Sequence, residues 1–121
     1  MNTDYRIVVQ TGDVKDAGTD ADVYITLFGE NGNSGERMLD SPGNDFERGS
    51  VGTYSISLQR DLGNIKSVRI RHNNKGTKPG WFLDYITVQN ESSDKVWRFP
   101  CNRWLARDED DHLIDRVLDR S

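Results

Sequence analysis

Aspartates are concentrated in two short segments of this 121-residue chain. Residues 13–22 and residues 40–45 together hold six aspartates and one asparagine: Asp13, Asp16, Asp20, Asp22, Asp40, Asp45 and Asn44. Calcium is bound by about six to eight oxygens, drawn from carboxylates, backbone carbonyls and water. Gly18 and Gly43 lie inside the two segments, where small residues let backbone carbonyls turn toward an ion. This pattern indicates a calcium site built from two loops, whose like charges repel unless a cation compensates them.

The same residue types also have a simpler interpretation as turn formers. Asp, Asn, Gly and Thr make Asx-turns and accept a positive φ, and acidic loops of this kind need not bind metal. The spacing of the aspartates also differs from that of an EF-hand loop. Composition alone therefore leaves both interpretations open.

Apolar and polar residues alternate along most of the chain, as is typical of half-buried β-strands. The stretches that alternate are residues 5–10, 23–27, 54–58 and 67–71. Four further strand candidates are residues 37–39, 81–88, 96–99 and 113–118. Turns rich in Gly, Asn and Pro separate them, and no strand–helix–strand alternation is present. The sequence therefore predicts an all-β fold, an eight-stranded antiparallel β-sandwich.

Two of these stretches are less regular than the others. Residues 81–88 are almost wholly apolar apart from Asp84 and Thr87, which predicts a central strand buried on both faces and bulged at Asp84. Residues 105–120 could form a helix with Leu113 and Leu118 on one face, but a strand is favoured there.

Length and composition restrict the class of protein. With 121 residues, we expect one domain spanning residues 1–121. The net charge of −4 and the mixing of acids and bases argue against nucleic acid as a partner. We expect no membrane-spanning or signal segment, and we expect the chain to be a module of a longer protein. Cys101 is the single cysteine, which fits a reducing compartment and a cytoplasmic location peripheral to a membrane.

Residues 5–118 resemble the PLAT domain found in lipoxygenases, polycystins, lipases and alpha-toxin-type bacterial phospholipases. The motifs that carry the resemblance are TG, AGTDADVY, NDFERG, VRIRHNN, GWFLDYI and FPCNRWL, which begin at Thr11, Ala17, Asn44, Val68, Gly80 and Phe99. The sequence is most similar to proteins built of many tandem lipoxygenase-homology modules. The resemblance implies a C2-like sandwich that binds calcium and docks its parent protein onto membrane lipid or a protein partner.

The resemblance also implies which residues hold the calcium. The predicted ligand set is Asp16, Gly18, Thr19, Asp20, Asp40, Ser41, Gly43, Asn44 and Asp45, the glycines and Thr19 largely through their backbone. Ser41 stands where bacterial relatives carry Asn and is a weaker ligand. The loop before Trp81 offers Asn73 and Asn74 but no carboxylate, which puts a third calcium site in doubt.

In family members that dock onto membranes, exposed aromatic residues lie at the loop tips. Here the tips carry lysines, so the predicted membrane contacts are Lys15, Lys75, Lys78 and Trp104. Lysines approach anionic headgroups, each contributing about 1 kcal/mol near the surface. Trp104 is the aromatic candidate, and packing against the last strand is its alternative role. Trp81 and Trp97 are assigned to the core or to a strand face.

A second hypothesis is a calcium-independent protein-interaction module or a structural repeat in a tandem array. It would use a sandwich face or an exposed arginine side comprising Arg6, Arg69, Arg71 and Arg98, and would bind a protein partner or neighbouring repeats. An enzyme is not expected. Cys101 has no neighbouring His in sequence, His72 and His112 do not form a zinc cluster, and residues 108–111 are expected to be a solvated acidic turn.

Overall fold

A computed structural model describes residues 2–19, 21–39, 46–76 and 80–121. The described part of the chain forms nine strands and no helix: β1 (Thr3–Thr11), β2 (Val23–Gly29), β3 (Gly32–Asn33), β4 (Arg37–Leu39), β5 (Val51–Leu58), β6 (Ile65–His72), β7 (Trp81–Asn90), β8 (Val96–Leu105) and β9 (Asp115–Asp119). No helix in these ranges is long and apolar enough to cross a membrane. The favoured strand at the C-terminal end is confirmed as β9.

The strands form two antiparallel sheets packed as a sandwich. The four-stranded sheet has the order β5-β1-β7-β8, and the other sheet has the order β3-β2-β6-β9 with β4 also paired to β2. Alternate side chains of both sheets meet between them, and Tyr5, Ile7, Ile25, Ile70 and Phe99 are fully buried there. Trp81 and Trp97 are also buried, as predicted. The all-β antiparallel sandwich is therefore confirmed.

The strand count differs from the prediction by one short strand. β3 lies in one of the turns rich in Gly and Asn that separate the predicted strands, where Gly32 has a φ of 132° and Asn33 pairs with Phe28. The backbone N–H of Ser34 donates to the carbonyl of Leu27 over 3.0 Å, which extends the pairing by one residue. Two-residue pairings of this kind leave no alternating pattern that sequence reasoning can detect.

Strand β7 is central and bulged, but it is not buried on both faces. Its register with β8 shifts between Leu83 and Tyr85, which confirms the bulge at Asp84. Burial alternates along the strand, since Leu83 and Ile86 are buried whereas Phe82 and Tyr85 are half-exposed. The outer face of this sheet has no third layer over it in the described structure, so its apolar residues are only partly covered.

Candidate functional site

The antiparallel registers place four connections at one end of the sandwich, called here the loop end. β1 finishes at Thr11 opposite Leu83 near the start of β7, and β2 starts at Val23 opposite His72 at the end of β6. β4 finishes at Leu39, also opposite Val23. The connections after β1, β4, β6 and β8 therefore leave from the loop end. Both acidic segments found in the sequence belong to these connections.

The first acidic loop is fixed against the chain that follows the second one. The N–H of Thr19 donates to the carbonyl of Phe46 over 3.1 Å, and the N–H of Gly49 donates to the carbonyl of Gly12 over 3.0 Å. The first loop is also tied to β7, where the N–H of Phe82 donates to the carbonyl of Ala17 over 2.9 Å. Phe46 comes directly after Asp45, so the first predicted ligand segment contacts the residue that follows the second.

Gly18 is at the centre of this contact because only a residue without a side chain fits there. A Cβ at position 18 would lie 2.8 Å from the carbonyl oxygen of Phe46 and 3.1 Å from the backbone nitrogen of Arg48. Glycine allows such close approach of one backbone to another. The predicted role of Gly18 as a backbone contributor is consistent with this packing.

The predicted ligand residues divide into two groups. Asp16, Gly18 and Thr19 are described, and Asp16 has the left-handed φ of 62° that Asp tolerates in turns. The hydroxyl of Thr19 accepts a hydrogen bond from the N–H of Ala21 over 3.1 Å. Asp20, Asp40, Ser41, Gly43, Asn44 and Asp45 lie outside the described residues, so their role stays a prediction.

Two aspartates of the first segment already have protein partners. Asp13 accepts from the Arg48 guanidinium over 2.9 Å. Asp22 forms two hydrogen bonds with Asn73. The side-chain amide N–H of Asn73 donates to the Asp22 carboxylate over 2.9 Å, and the backbone N–H of Asp22 donates to the Oδ1 of Asn73 over 3.1 Å. These partners hold Asp13 and Asp22 in position at the loop end. Among the described residues, no group of three or more His, Cys, Asp or Glu side chains is arranged to hold a metal.

The predicted membrane-contact lysines lie at the loop end. Lys15 is exposed on a turn that is closed by a hydrogen bond from the N–H of Ala17 to the carbonyl of Val14, over 3.1 Å. Lys75 is exposed in the loop after β6, and Lys78 lies outside the described residues. Sequence reasoning missed Val14, which sits beside Lys15 with 39% of its surface exposed. An apolar residue inside an otherwise polar loop was the available signal.

Trp104 is half-buried near the end of β8. Its ring packs edge-to-face on Phe82 of the neighbouring strand, with 5.4 Å between the ring centroids. The alternative role considered for Trp104 was packing on the last strand, but its ring partner is on β7 instead. Leu113, in the connection from β8 to β9, is 50% exposed and adds a second apolar residue at this end that the sequence did not single out.

His72 supports the loop end from inside the sandwich. It is fully buried at the end of β6, and its Nδ1 accepts from the N–H of Asn74 over 3.0 Å. Its Nε2 therefore carries the proton and donates to the carbonyl of Leu105 over 2.6 Å. Burial lowers the pKa of His72, and the nearby Arg107 lowers it further. The neutral imidazole thus ties together the ends of β6 and β8.

Cys101 packs partly against the core, and burial raises the pKa of its thiol. A raised thiol pKa keeps the nucleophilic thiolate scarce near neutral pH. Residues 108–111 are exposed in a turn, as expected, but two of them also have arginine partners. Asp110 and Asp111 form ion pairs with Arg103 at 2.9 and 3.1 Å, and Asp111 also pairs with Arg116 at 2.6 Å. These arginines lower the pKa of both carboxyls.

The four arginines expected on one side of the sandwich lie on two opposite faces. Arg6 and Arg98 belong to strands of the four-stranded sheet, whereas Arg69 and Arg71 belong to β6 of the other sheet. Arg69 pairs with Asp115, and Arg71 pairs with Glu36 and stacks over Tyr24. Alternation within a strand shows which residues share a face but not which sheet the strand joins, so the single arginine surface was wrong.

Comparison with known proteins agrees with this geometry. The family described as the PLAT/LH2 domain matches residues 5–119. The chain belongs to the PLAT/LH2 family. The lipoxygenase homology domain-containing protein 1 of Mus musculus is 46% identical over 114 residues, which cover 94% of this chain and 6% of that protein. The polycystin family receptor for egg jelly of the same species is 38% identical over 105 residues, covering 86% of this chain and 5% of that protein.

Among solved structures, the coral 8R-lipoxygenase superposes on this PLAT domain with a TM-score of 0.84 at 32% identity, covering 98% of this chain and 17% of that one. The structure of that enzyme is described as revealing calcium activation through a C2-like domain. The present domain spans only a small part of each of these relatives. The similarity therefore concerns the domain and not the activity of a whole protein.

Proposed function

We propose that this PLAT domain binds calcium at the loop end and, once loaded, docks its parent protein onto an anionic membrane surface. The observation that carries the proposal is the backbone contact of Gly18 and Thr19 with Phe46. That contact joins the loop holding Asp16 to the residue that follows Asp45. The donor chemistry also fits, because both segments offer carboxylate, hydroxyl and peptide oxygens and no thiol or imidazole, as a hard cation requires.

Calcium would act first on the loops themselves. Asp16 and Asp20 from the first segment, with Asp40, Asn44 and Asp45 from the second, would supply side-chain oxygens. Gly18, Thr19, Ser41 and Gly43 would add backbone or hydroxyl oxygens. The bound cation cancels the repulsion among these carboxylates and removes the negative charge that would keep the loop end away from anionic lipid.

Docking would follow from the residues around the ion. Lys15 and Lys75, with the predicted contact Lys78, bring positive charge worth about 1 kcal/mol each near an anionic surface. Val14, at the same tip as Lys15, adds an exposed aliphatic side chain that gains by leaving water. Trp104 contributes an amphipathic ring suited to the headgroup level. Calcium activation of the coral lipoxygenase through its C2-like domain supports a role for calcium in this domain.

The proposal assigns no catalysis to this domain and places it at the cytoplasmic face of a membrane. The half-buried Cys101, whose thiol pKa is raised, and the neutral, hydrogen-bonded His72 are structural groups in this account. A protein partner or a neighbouring repeat is the alternative ligand for the loop end. The vesicle experiment below distinguishes this alternative from lipid.

Two measurements test the proposal. Calorimetric titration with calcium should give binding heat, and Asp16→Asn or Asp45→Ala should weaken the affinity by at least about tenfold with little loss of melting temperature in chelator. Asp119→Ala, at the far end of β9, is the matched control and should bind calcium normally. Vesicles containing phosphatidylserine should then co-sediment with the domain in calcium and not in chelator.

The possible results separate the two parts of the proposal. Absence of both heat and thermal shift with excess calcium would make the aspartates mere turn formers. Calcium binding without any vesicle association would leave the metal site intact and replace lipid by a protein ligand.

A further inference from the structure

An exposed edge strand carries unpaired N–H and C=O groups that can pair with another chain. Natural proteins block such edges with short strands, charged residues, proline or bulges. The two sheets of the described structure have four edges, formed by β5, β8, β9 and the short pair β3 and β4. Three of these edges are blocked in this way, and the edge of β5 is not.

The edge of β8 is blocked by its sequence and by its neighbours. The strand contains Arg98 and Pro100, and its register with β7 is interrupted by a bulge. The carbonyl of Arg98 accepts from the N–H of Ser121 over 2.9 Å, and the carbonyl of Trp104 accepts from Arg116 over 3.0 Å. These bonds occupy groups that an incoming strand would need.

The two edges of the other sheet are blocked by length and charge. β3 has two residues and β4 has three, too few to template a strand. β9 has five residues, of which Asp115, Arg116 and Asp119 are charged. The side chain of Arg116 is only 9% exposed and occupies the inner side of this edge. An inward-pointing charge is a recognised way of preventing edge-to-edge pairing.

β5 has none of these features. Its eight residues, Val51–Leu58, include no charged residue and no proline, and they pair with β1 from Gln10 to Thr3 without a shift in register. Thr53, Ser55 and Ser57 are exposed on the outer face, while Tyr54 and Ile56 fill the core. No other described strand pairs with β5 on its open side.

We propose that β5 pairs antiparallel with β5 of a second copy of this chain. The pairing would join two four-stranded sheets into one continuous sheet across a two-fold axis. An antiparallel pair of identical strands is isologous, as the common two-fold dimer requires. Because β5 is uncharged, a second β5 brings no like charge opposite the first.

The charges that flank β5 favour the same arrangement. Glu47 precedes the strand and Arg60 follows it, both are exposed, and neither forms an ion pair with another described residue. In an antiparallel pair, the Glu47 end of one copy meets the Arg60 end of the other, and the two-fold axis repeats that contact. A parallel pair would instead bring like charges together.

The interface is confined to one strand edge, so the dimer is a weak one. Sedimentation equilibrium in chelator, over micromolar to millimolar concentration, should show a monomer–dimer equilibrium. Thr53→Lys places a charge on the exposed side of β5 and should weaken dimerisation by at least about tenfold. Val117→Lys, at a 60%-exposed position of β9, is the matched control and should dimerise like the native chain.

A charge exchange tests the orientation without altering the strand. Glu47→Arg and Arg60→Glu should each weaken the dimer, and the two together should restore it. A native chain that stays monomeric at millimolar concentration overturns the proposal, as does a Thr53→Lys variant that dimerises normally. A double variant no stronger than the single ones overturns the antiparallel arrangement. Because sedimentation is measured in chelator, each of these outcomes is independent of whether the domain binds calcium.

Discussion

Gly18 lies so close to Phe46 that a methyl group on its Cα would stand 2.8 Å from the Phe46 carbonyl oxygen. This contact fixes the distance between the first acidic loop and the end of the second. Since oxygen ligands must converge within a few tenths of an ångström to bind calcium, the contact would control the proposed metal site as well as the local packing.

Gly18→Ala should therefore damage calcium binding more than it damages the fold. The added Cβ meets backbone atoms, which cannot rotate away, so the two segments must move apart. We expect the free energy of unfolding in chelator to fall by about 1–3 kcal/mol. The calcium affinity measured by calorimetry should fall by at least about tenfold, because the oxygens no longer converge.

Gly35→Ala is the matched control for this variant. Gly35 has a φ of 69°, which a residue with a side chain adopts only at a cost of about 1–2 kcal/mol, and it lies between β3 and β4, beside the middle of β2 and away from the loop end. Its stability loss should be similar, with calcium affinity unchanged. Equal loss of affinity in both variants would show that calcium binding merely follows global stability.

Val14 and Lys15 should contribute separately to vesicle binding. Val14→Asn removes an exposed aliphatic group and should weaken calcium-dependent co-sedimentation on both neutral and anionic vesicles. Lys15→Gln should weaken binding to phosphatidylserine vesicles by about fivefold, equivalent to about 1 kcal/mol, and leave neutral vesicles unaffected. Lys66→Gln, on β6 away from the loop end, is the control for net charge. Identical losses for Lys15→Gln and Lys66→Gln would contradict a specific contact.

The fold was largely predictable because its main signal is local. Alternation at period two marked β1, β2, β5 and β6, and a single polar residue in an apolar run located the bulge at Asp84. The same reasoning failed for the outer face of β7. Apolar residues such as Phe82 indicate that a face is poor in charge, but whether another layer covers it depends on the rest of the fold.

The candidate site was predictable in its position and less so in its members. Asp13, Asp16 and Asp22 look alike in sequence, yet Asp13 is held by Arg48 and Asp22 by Asn73, which are 35 and 51 residues away along the chain. Such partners are determined by strand order and cannot be read from spacing. The network of Asp110 and Asp111 was missed for the same reason, because Arg116 comes from the next strand.

Arg116 should matter more to stability than its neighbour Arg103. Its guanidinium is only 9% exposed and donates to the backbone carbonyl of Trp104 over 3.0 Å. Arg116→Leu leaves that carbonyl without its partner, and we expect the free energy of unfolding to fall by about 1.5–3 kcal/mol. Denaturant unfolding gives this value, and hydrogen exchange should accelerate in β9 before β1.

Arg103→Leu also removes an ion-pair partner of Asp110 and Asp111, but the Arg103 side chain is 47% exposed. Its effect should be much smaller, because exposed ion pairs contribute little. If the two variants lose equal stability, the ion pairs and not the bond to Trp104 hold β8 to β9.

His72 should make the free energy of unfolding depend on pH. Its folded pKa lies below the ordinary value of 6.5, first because of burial and then because of Arg107. The unfolded chain therefore binds the proton more readily than the folded one. The contribution of His72 to the free energy of unfolding is constant while the pH is above the pKa of His72 in the unfolded chain. It is lost progressively as the pH falls from that value to the lower pKa of His72 in the folded chain.

The free energy of unfolding should accordingly decline as pH falls below about 6.5, with a slope of at most about 1.4 kcal/mol per pH unit for one proton. His72→Gln should flatten this slope while lowering stability at neutral pH, because the bonds to Leu105 and Asn74 are altered. His112→Gln, in the exposed turn before β9, should keep the native slope. A slope that disappears with His112→Gln and persists with His72→Gln would show that the buried imidazole is not the titrating group.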